Sequence, residues 1–220
     1  MTLPAYAYDL LHSPPPASSH ANRQRLRIAA NRLSIITGGS QQQRQQLLAT
    51  LAGSHGALHG LLFGQPLQDG KLQQLACSQC EQGRHCKTSL QQYVLQGRCY
   101  QRSWWQRPSA EDQQATERLL RELGLALQVA TPLQQLDDAQ RELAAIARAL
   151  ASRAPVVLLR EPAALDSIQL PPLLTLLRRL AITGRTIVLA LADRQLAARH
   201  AQQLLDLDTD AKLPAQHLAA

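Results

Sequence analysis

Two stretches of the chain, Val156 to Leu159 and Thr186 to Leu191, are almost wholly apolar. Runs that short and that apolar predict buried strands of a parallel sheet, because both faces of such a strand are covered. Arg25 to Ile28 and Leu33 to Thr37 predict two further short strands around the turn 29–32, and Leu204 to Leu207 a last one. Elsewhere the period becomes helical. In Leu136 to Leu150, Leu143, Ile146, Ala147 and Leu150 form one apolar stripe, and Asp137 or Asp138 can cap the helix. Pro108 to Gly124 predicts a helix with Ser109 as cap, acids in the first turn and Gly124 as stop. Helical patterns also cover Leu47 to Gly53, the segment from Thr88, and Leu170 to Leu180 behind a Pro-Pro start. Ser13-Pro-Pro-Pro-Ala-Ser-Ser19 reads as a surface loop.

Candidate chemistry sits where these elements end. The strand 156–159 runs into Arg160-Glu161-Pro162, and parallel sheets place their sites at the carboxyl ends of strands. The strand 33–37 runs into the loop Gly38-Gly-Ser-Gln-Gln-Gln-Arg-Gln-Gln46 and then the helix from Leu47, the layout of a phosphate-binding loop. All four cysteines, Cys77, Cys80, Cys86 and Cys99, lie within 77–99, and the first two form a Cys-x-x-Cys hook. Thiolates at that density suit zinc or an iron–sulfur cluster, and the spacing leaves the choice open; His85 is an alternate ligand. Reduced thiols are the simpler alternative.

Composition changes this picture little. A chain of 220 residues can bury a real core, built mainly from Leu, Ala, Val and Ile, because hydrophobic content is 45% and aromatics only 3%. The formal charge of +7 comes from Arg scattered among Gln, with no dense basic run, which argues against nucleic-acid binding. No apolar run approaches the ~18 residues of a membrane span. The first residues lack a charged and an apolar signal region, so a cytoplasmic protein is expected, in which cysteines favour thiols or metal over disulfides.

The order of helix, buried strand, Glu-Pro and Ala-Leu-Asp resembles the ATP-binding-cassette (ABC) ATPases, whose signature helix, Walker B strand and D-loop follow in that order. Leu136-Asp-Asp-Ala-Gln140 stands where that family has Leu-Ser-Gly-Gly-Gln, and Leu158-Leu-Arg-Glu-Pro162 where it has apolar-Asp-Glu-Pro. Gly56 to Leu67 resembles a family hairpin, and Leu75 to Gln79 falls on the Q-loop. Thr88 to Arg98 and Pro108 to Gly124 are similar to the helical subdomain of iron–siderophore, haem and vitamin B12 importers, and 196–200 to a late family helix. The resemblance implies a P-loop NTPase-like α/β fold, a mostly parallel sheet with flanking helices and a small α-helical subdomain. The implied division is 1–87 and 132–220 for the two parts of the core, with 88–131 as the helical subdomain. Trp104-Trp105 offers a docking surface for a membrane subunit or cover for the cysteines, and Tyr6 or Tyr8 could stack on adenine.

Carried over residue by residue, the resemblance retains Glu161 as the catalytic Glu, Asp166, Gln79 and Gln140. Gly38 matches the first loop glycine and Arg44 the loop Lys. Gln41 and Gln43 stand on inner glycines, Gln45 on the magnesium-binding hydroxyl, Arg160 on the magnesium-site Asp, and Ala192 on the switch His. These residues imply a vestigial nucleotide site with ATP hydrolysis in doubt, since phosphoryl transfer depends on positioning and electrostatics. Two functions stay open: a non-hydrolysing accessory protein with a metal or cluster, linked to an iron-type importer, or a weak, atypical ATP-binding subunit of such an importer. The implied partners are a second cassette, as homodimer or heterodimer, and a membrane permease at the inner face of the cell membrane. In a dimer of family type, Arg44 and Arg160 would face Asp137 and Asp138 across the seam, and direct ion pairs there would close it without nucleotide. The favoured alternative is that Arg160 pairs with Glu161 or Asp166 in its own chain and Asp137 merely caps its helix.

Overall fold

The computed structural model describes residues 6–11, 25–52, 60–62, 65–66, 75–77, 87–99, 108–152 and 154–208. Nine strands are described: β1 (Tyr6–Leu11), β2 (Arg25–Ala29), β3 (Leu33–Thr37), β4 (Gly60–Leu62), β5 (Gln65–Pro66), β6 (Leu75–Cys77), β7 (Val156–Leu159), β8 (Thr186–Ala190) and β9 (Gln203–Asp206). Among them run α1 (Gln41–Leu51), α2 (Leu90–Cys99), α3 (Ala110–Glu122), α4 (Asp138–Ala151), α5 (Leu170–Ile182) and α6 (Arg194–His200).

The central sheet is parallel in every pairing, in the order β6-β7-β8-β3-β9. Each apolar run is buried on both faces, as its lack of alternation predicts. Alternate residues enter different cores. Val157, Leu159, Ile187, Leu189, Leu33 and Ile35 pack with α4, α5 and the helices α2 and α3. Val156, Leu158, Val188, Ala190 and Ile36 pack with Leu48 and Leu51 of α1. The second sheet, β2-β1-β4-β5, is antiparallel and adds Ala7, Leu26 and Ile28 to that second core.

The strands on either side of the turn 29–32 therefore join different sheets. In β2, buried Leu26 and Ile28 flank exposed Arg27, the alternation of a half-covered strand, whereas β3 is buried throughout. Arg27 stacks on the exposed Tyr6 ring, 5.0 Å from guanidinium carbon to centroid. The expected hairpin within 56–67 is present as β4 and β5. The Pro-rich loop 13–19 and Trp104-Trp105 lie outside the described residues.

Helices α2 and α4 cross where Gly97 leaves no room for a side chain: a Cβ there would lie 2.1 Å from the Arg148 carbonyl oxygen. Tyr93, one turn earlier, carries the Arg148 guanidinium over its ring at 4.9 Å. Ser109 caps α3 as expected, and Asp112 returns the bond to the Ser109 amide, closing a capping box. Asp112 is buried and also accepts from Arg98 Nε at 2.7 Å, tying α2 to α3. That guanidinium, with the Ser109 groups assisting, holds the Asp112 carboxyl well below the usual carboxylate range despite its burial.

Two predictions follow from this contact region. Gly97→Ala is expected to lower stability by about 1–3 kcal/mol, read from urea midpoints, because the backbone of α4 must move. Asp112→Asn is expected to destabilise at neutral pH. A carboxyl with a depressed folded pKa stabilises above its unfolded value of about 3.9, and that advantage is lost as pH falls below it. The gap between wild type and Asp112→Asn should therefore narrow as the solution is acidified below about pH 4.

Candidate functional site

The carboxyl ends of β3, β7, β8 and β9 meet at one edge, and of the expected site residues Gly38, Arg44 and Glu161 gather there. Both glycines of the Gly38-Gly39 turn adopt positive φ, 72° and 57°, which L side chains rarely do. Behind them, Ser40 caps α1. Its hydroxyl accepts from the Gln43 amide, and the Gln43 side chain accepts from the Ser40 amide at 2.7 Å. The helix thus starts at Gln41, not at Leu47 as expected, because the reciprocal Ser40–Gln43 bonds cap it there and draw 41–46 out of the loop.

Arg44, on that first turn, is 5% exposed. Its Nη2 lies 2.7 Å from Glu161 Oε2, and its Nε donates to the same oxygen at 3.2 Å. Nη1 donates to the Gly38 carbonyl at 2.9 Å and the Gly39 carbonyl at 3.0 Å. Every nitrogen of the guanidinium is engaged. The second Glu161 oxygen accepts from the Ala192 amide at 3.1 Å, so the carboxylate bridges α1 to the end of β8.

On the other flank, the Gly39 amide donates to Asp208 at 3.0 Å, and Arg194 pairs with Asp206 and Asp208. A Cβ on Gly38 would sit 2.2 Å from Asp206 Oδ1, so the turn and the end of β9 fit only with glycine there. Asp206, Asp208 and Arg194 were not legible as site residues. The only signal was charge just past a short final strand, and nothing in the pattern placed that strand beside Gly38.

The remaining candidates fall into local roles. Asp137 caps α4, its carboxylate accepting from the Gln140 amide at 2.7 Å while the Gln140 side chain accepts from the Asp137 amide. Asp138 pairs with Arg141 one turn along. Arg44, Asp137 and Asp138 thus all have partners within their own chain, and Asp137 caps its helix as the favoured alternative had it. A neighbour in the same turn is already held in place, so pairing with it forfeits little entropy. Arg160 is exposed at the end of β7. Asp166 accepts from the amides of Ile168 and Gln169 at 2.9 and 2.8 Å, stabilising the entry to α5.

Glu142, which sequence reasoning passed over, holds the loop after β7 by accepting from the Ala164 amide at 2.7 Å. Burial pushes its carboxyl above the usual range, with the Ala164 and Ala163 amides and the charge of Arg160 pulling the other way. Cys77 ends β6 and Cys99 ends α2, but their side chains, together with Gln79, Cys80, His85 and Cys86, lie outside the described residues. Among the described residues no group of three His, Cys, Asp or Glu could hold a metal ion.

Solved structures share this fold over most of the chain. A protein described as a metal-chelate type ABC transporter in an inward-facing conformation matches over 91% of this chain and 78% of its own, with TM-score 0.71 and 23% identity. A dimeric bacterial ABC transporter cassette matches over 92% and 91%, with TM-score 0.70 and 19% identity. At those identities the likeness establishes the fold. The hemin import ATP-binding protein HmuV of Streptomyces coelicolor is 29% identical over 185 residues, 80% of this chain and 65% of that protein. The achromobactin transport ATP-binding protein CbrD of Dickeya dadantii is 34% identical over 119 residues.

The chain has the fold of an ABC ATPase cassette.

The pyoverdine export ATP-binding/permease protein PvdT of Pseudomonas putida is 41% identical over 93 residues. The chain spans 14% of PvdT and 44% of CbrD, less than half of either relative. No protein-family model matches it. No described helix of the chain is long and apolar enough to cross a membrane.

The Arg44–Glu161 pair is 6% and 13% exposed at its side chains, and removing one partner of a buried pair strands the other. Arg44→Met is therefore expected to lower stability by about 3–5 kcal/mol at neutral pH, measured by urea denaturation. Removing both charges together, as Arg44→Met with Glu161→Gln, should cost less than Arg44→Met alone.

Proposed function

We propose that this chain is a cassette subunit of an importer of iron-chelate type, docking on a membrane permease beside a second cassette and contributing little nucleotide turnover of its own. The observation that carries the reading is breadth of match. The similarity to a hemin importer's ATP-binding protein runs over 80% of this chain, whereas the match to the pyoverdine exporter covers 42%. The fold likeness to a metal-chelate type transporter, at 91% coverage, supports the same side. The α2–α3 unit, locked by Arg98 and Asp112 and packed on α4, supplies a rigid body with which a cassette could transmit movement.

ATP with magnesium fits these residues poorly. Arg44 spans the space beside the glycine turn, Gln45 replaces a hydroxyl, and Arg160 stands where a carboxylate would share the ion. No catalytic step is therefore routed through nucleotide here. Gly38, Arg44, Gln79, Gln140, Arg160, Glu161 and Asp166 make up the proposed vestigial site. A second reading, favoured by the gathering of all four cysteines within 77–99, gives the chain a metal or iron–sulfur centre on Cys77, Cys80, Cys86 and Cys99. Iron, sulfide and zinc analysis of anaerobically purified protein decides it.

The importer reading is tested in the native host by deleting the coding sequence and following radiolabelled iron supplied as haem or ferric siderophore. Uptake of at least one chelate should fall several-fold, and the tagged protein should sediment with membranes. Unchanged uptake of every chelate, with the tagged protein wholly in the soluble fraction, would contradict the reading.

A further inference from the structure

The polarity of the cradle at the sheet edge is reversed relative to what a phosphate needs. Phosphate is held by backbone amides that converge on it and by nearby cations. Here the groups converging on the centre are acceptors: the Gly38 and Gly39 carbonyls and the Glu161 carboxylate. Several amides that an anion would use already serve the protein's own oxygens. Gly39 donates to Asp208, Ser40 to the Gln43 side chain, Gln43 to the Ser40 hydroxyl, and Ala192 to Glu161. Carboxylates of Asp206 and Asp208 close the far side around Gly38, with Arg194 between them.

From this inventory we infer that the site is a cation-accepting cradle whose permanent occupant is the Arg44 guanidinium, and that it takes planar cations rather than nucleoside phosphates. The inference rests on the reading of this edge as the cassette's nucleotide position. The planar fork of Arg suits the arrangement: one edge meets the carboxylate through Nε and Nη2, while Nη1 spans the two carbonyls. Lys could not span all of these acceptors from one nitrogen. For a triphosphate to enter, Arg44 would have to leave, stranding Glu161, and the incoming charge would meet Glu161, Asp206 and Asp208. The device ties α1 to the ends of β7 and β8 without any added ligand.

The experiment shortens the occupant and offers a replacement. Arg44→Ala should lose thermal stability, and guanidinium chloride at low millimolar concentration, far below the molar range of its denaturing action, should restore much of the lost Tm. The same salt should leave wild type unshifted, and equal potassium chloride should leave Arg44→Ala unshifted. Fluorescent ATP analogue with magnesium, titrated to millimolar concentration, should show no saturable anisotropy change with wild type. Guanidinium that fails to raise the Tm of Arg44→Ala, or saturable nucleotide binding by wild type, overturns the inference. Should Arg44→Ala not fold, the wild-type titration still decides. None of these outcomes depends on which permease, if any, the chain serves, so the importer reading can fail independently.

Discussion

The structure turns on the desolvated ion pair between Arg44 and Glu161. A guanidinium that is 5% exposed is tolerable only because each of its nitrogens has an acceptor, and because the carboxylate opposite is itself held by the Ala192 amide. That requirement reaches outward. It needs the positive φ of Gly38 and Gly39 to turn two carbonyls toward α1. It needs α1 to begin at Gln41, which the reciprocal bonds of Ser40 and Gln43 enforce. And it needs β3, β7 and β8 to end at the same level, which parallel pairing through residues such as Leu159 and Leu189 provides.

Buried ion pairs contribute less to net stability than to specifying one arrangement, since an apolar pair of similar volume could serve as well energetically. In this chain we propose that the pair sets the edge of the cassette in one state. An ATP-driven cassette needs an edge that rearranges when nucleotide comes and goes. On our proposal an edge filled by its own cation has no such cycle, in keeping with a docked subunit of little turnover. The locked α2–α3 unit and the glycine crossing at Gly97 are compatible with that role, because both favour rigid transmission over local adjustment.

Much of the fold was legible because it depends on short-range pattern. Uncharged runs became strands buried on both faces, and Ser109, Asp137 and Gly124 marked helix ends as their chemistry requires. The site was legible only in parts. Gly38, Arg44 and Glu161 each stood out against a family motif, yet Arg44 and Glu161 are 117 positions apart, and their pairing emerges only when the sheet is assembled. The same distance problem hid Asp206 and Asp208 beside Gly38. In the other direction, Asp138 was legible as charge at a helix start, but its pairing with Arg141 within one turn was not. The cysteine group, legible as a cluster, falls mostly outside the described residues.

A crystal structure of the wild-type protein grown with magnesium and a non-hydrolysable ATP analogue in large excess tests the central claim most directly. The account predicts that Arg44 Nη2 stays within hydrogen-bond distance of Glu161, at the 2.7 Å seen here, with no triphosphate on the Gly38-Gly39 turn. Phosphate density on that turn, with Arg44 swung clear of Glu161, would contradict it.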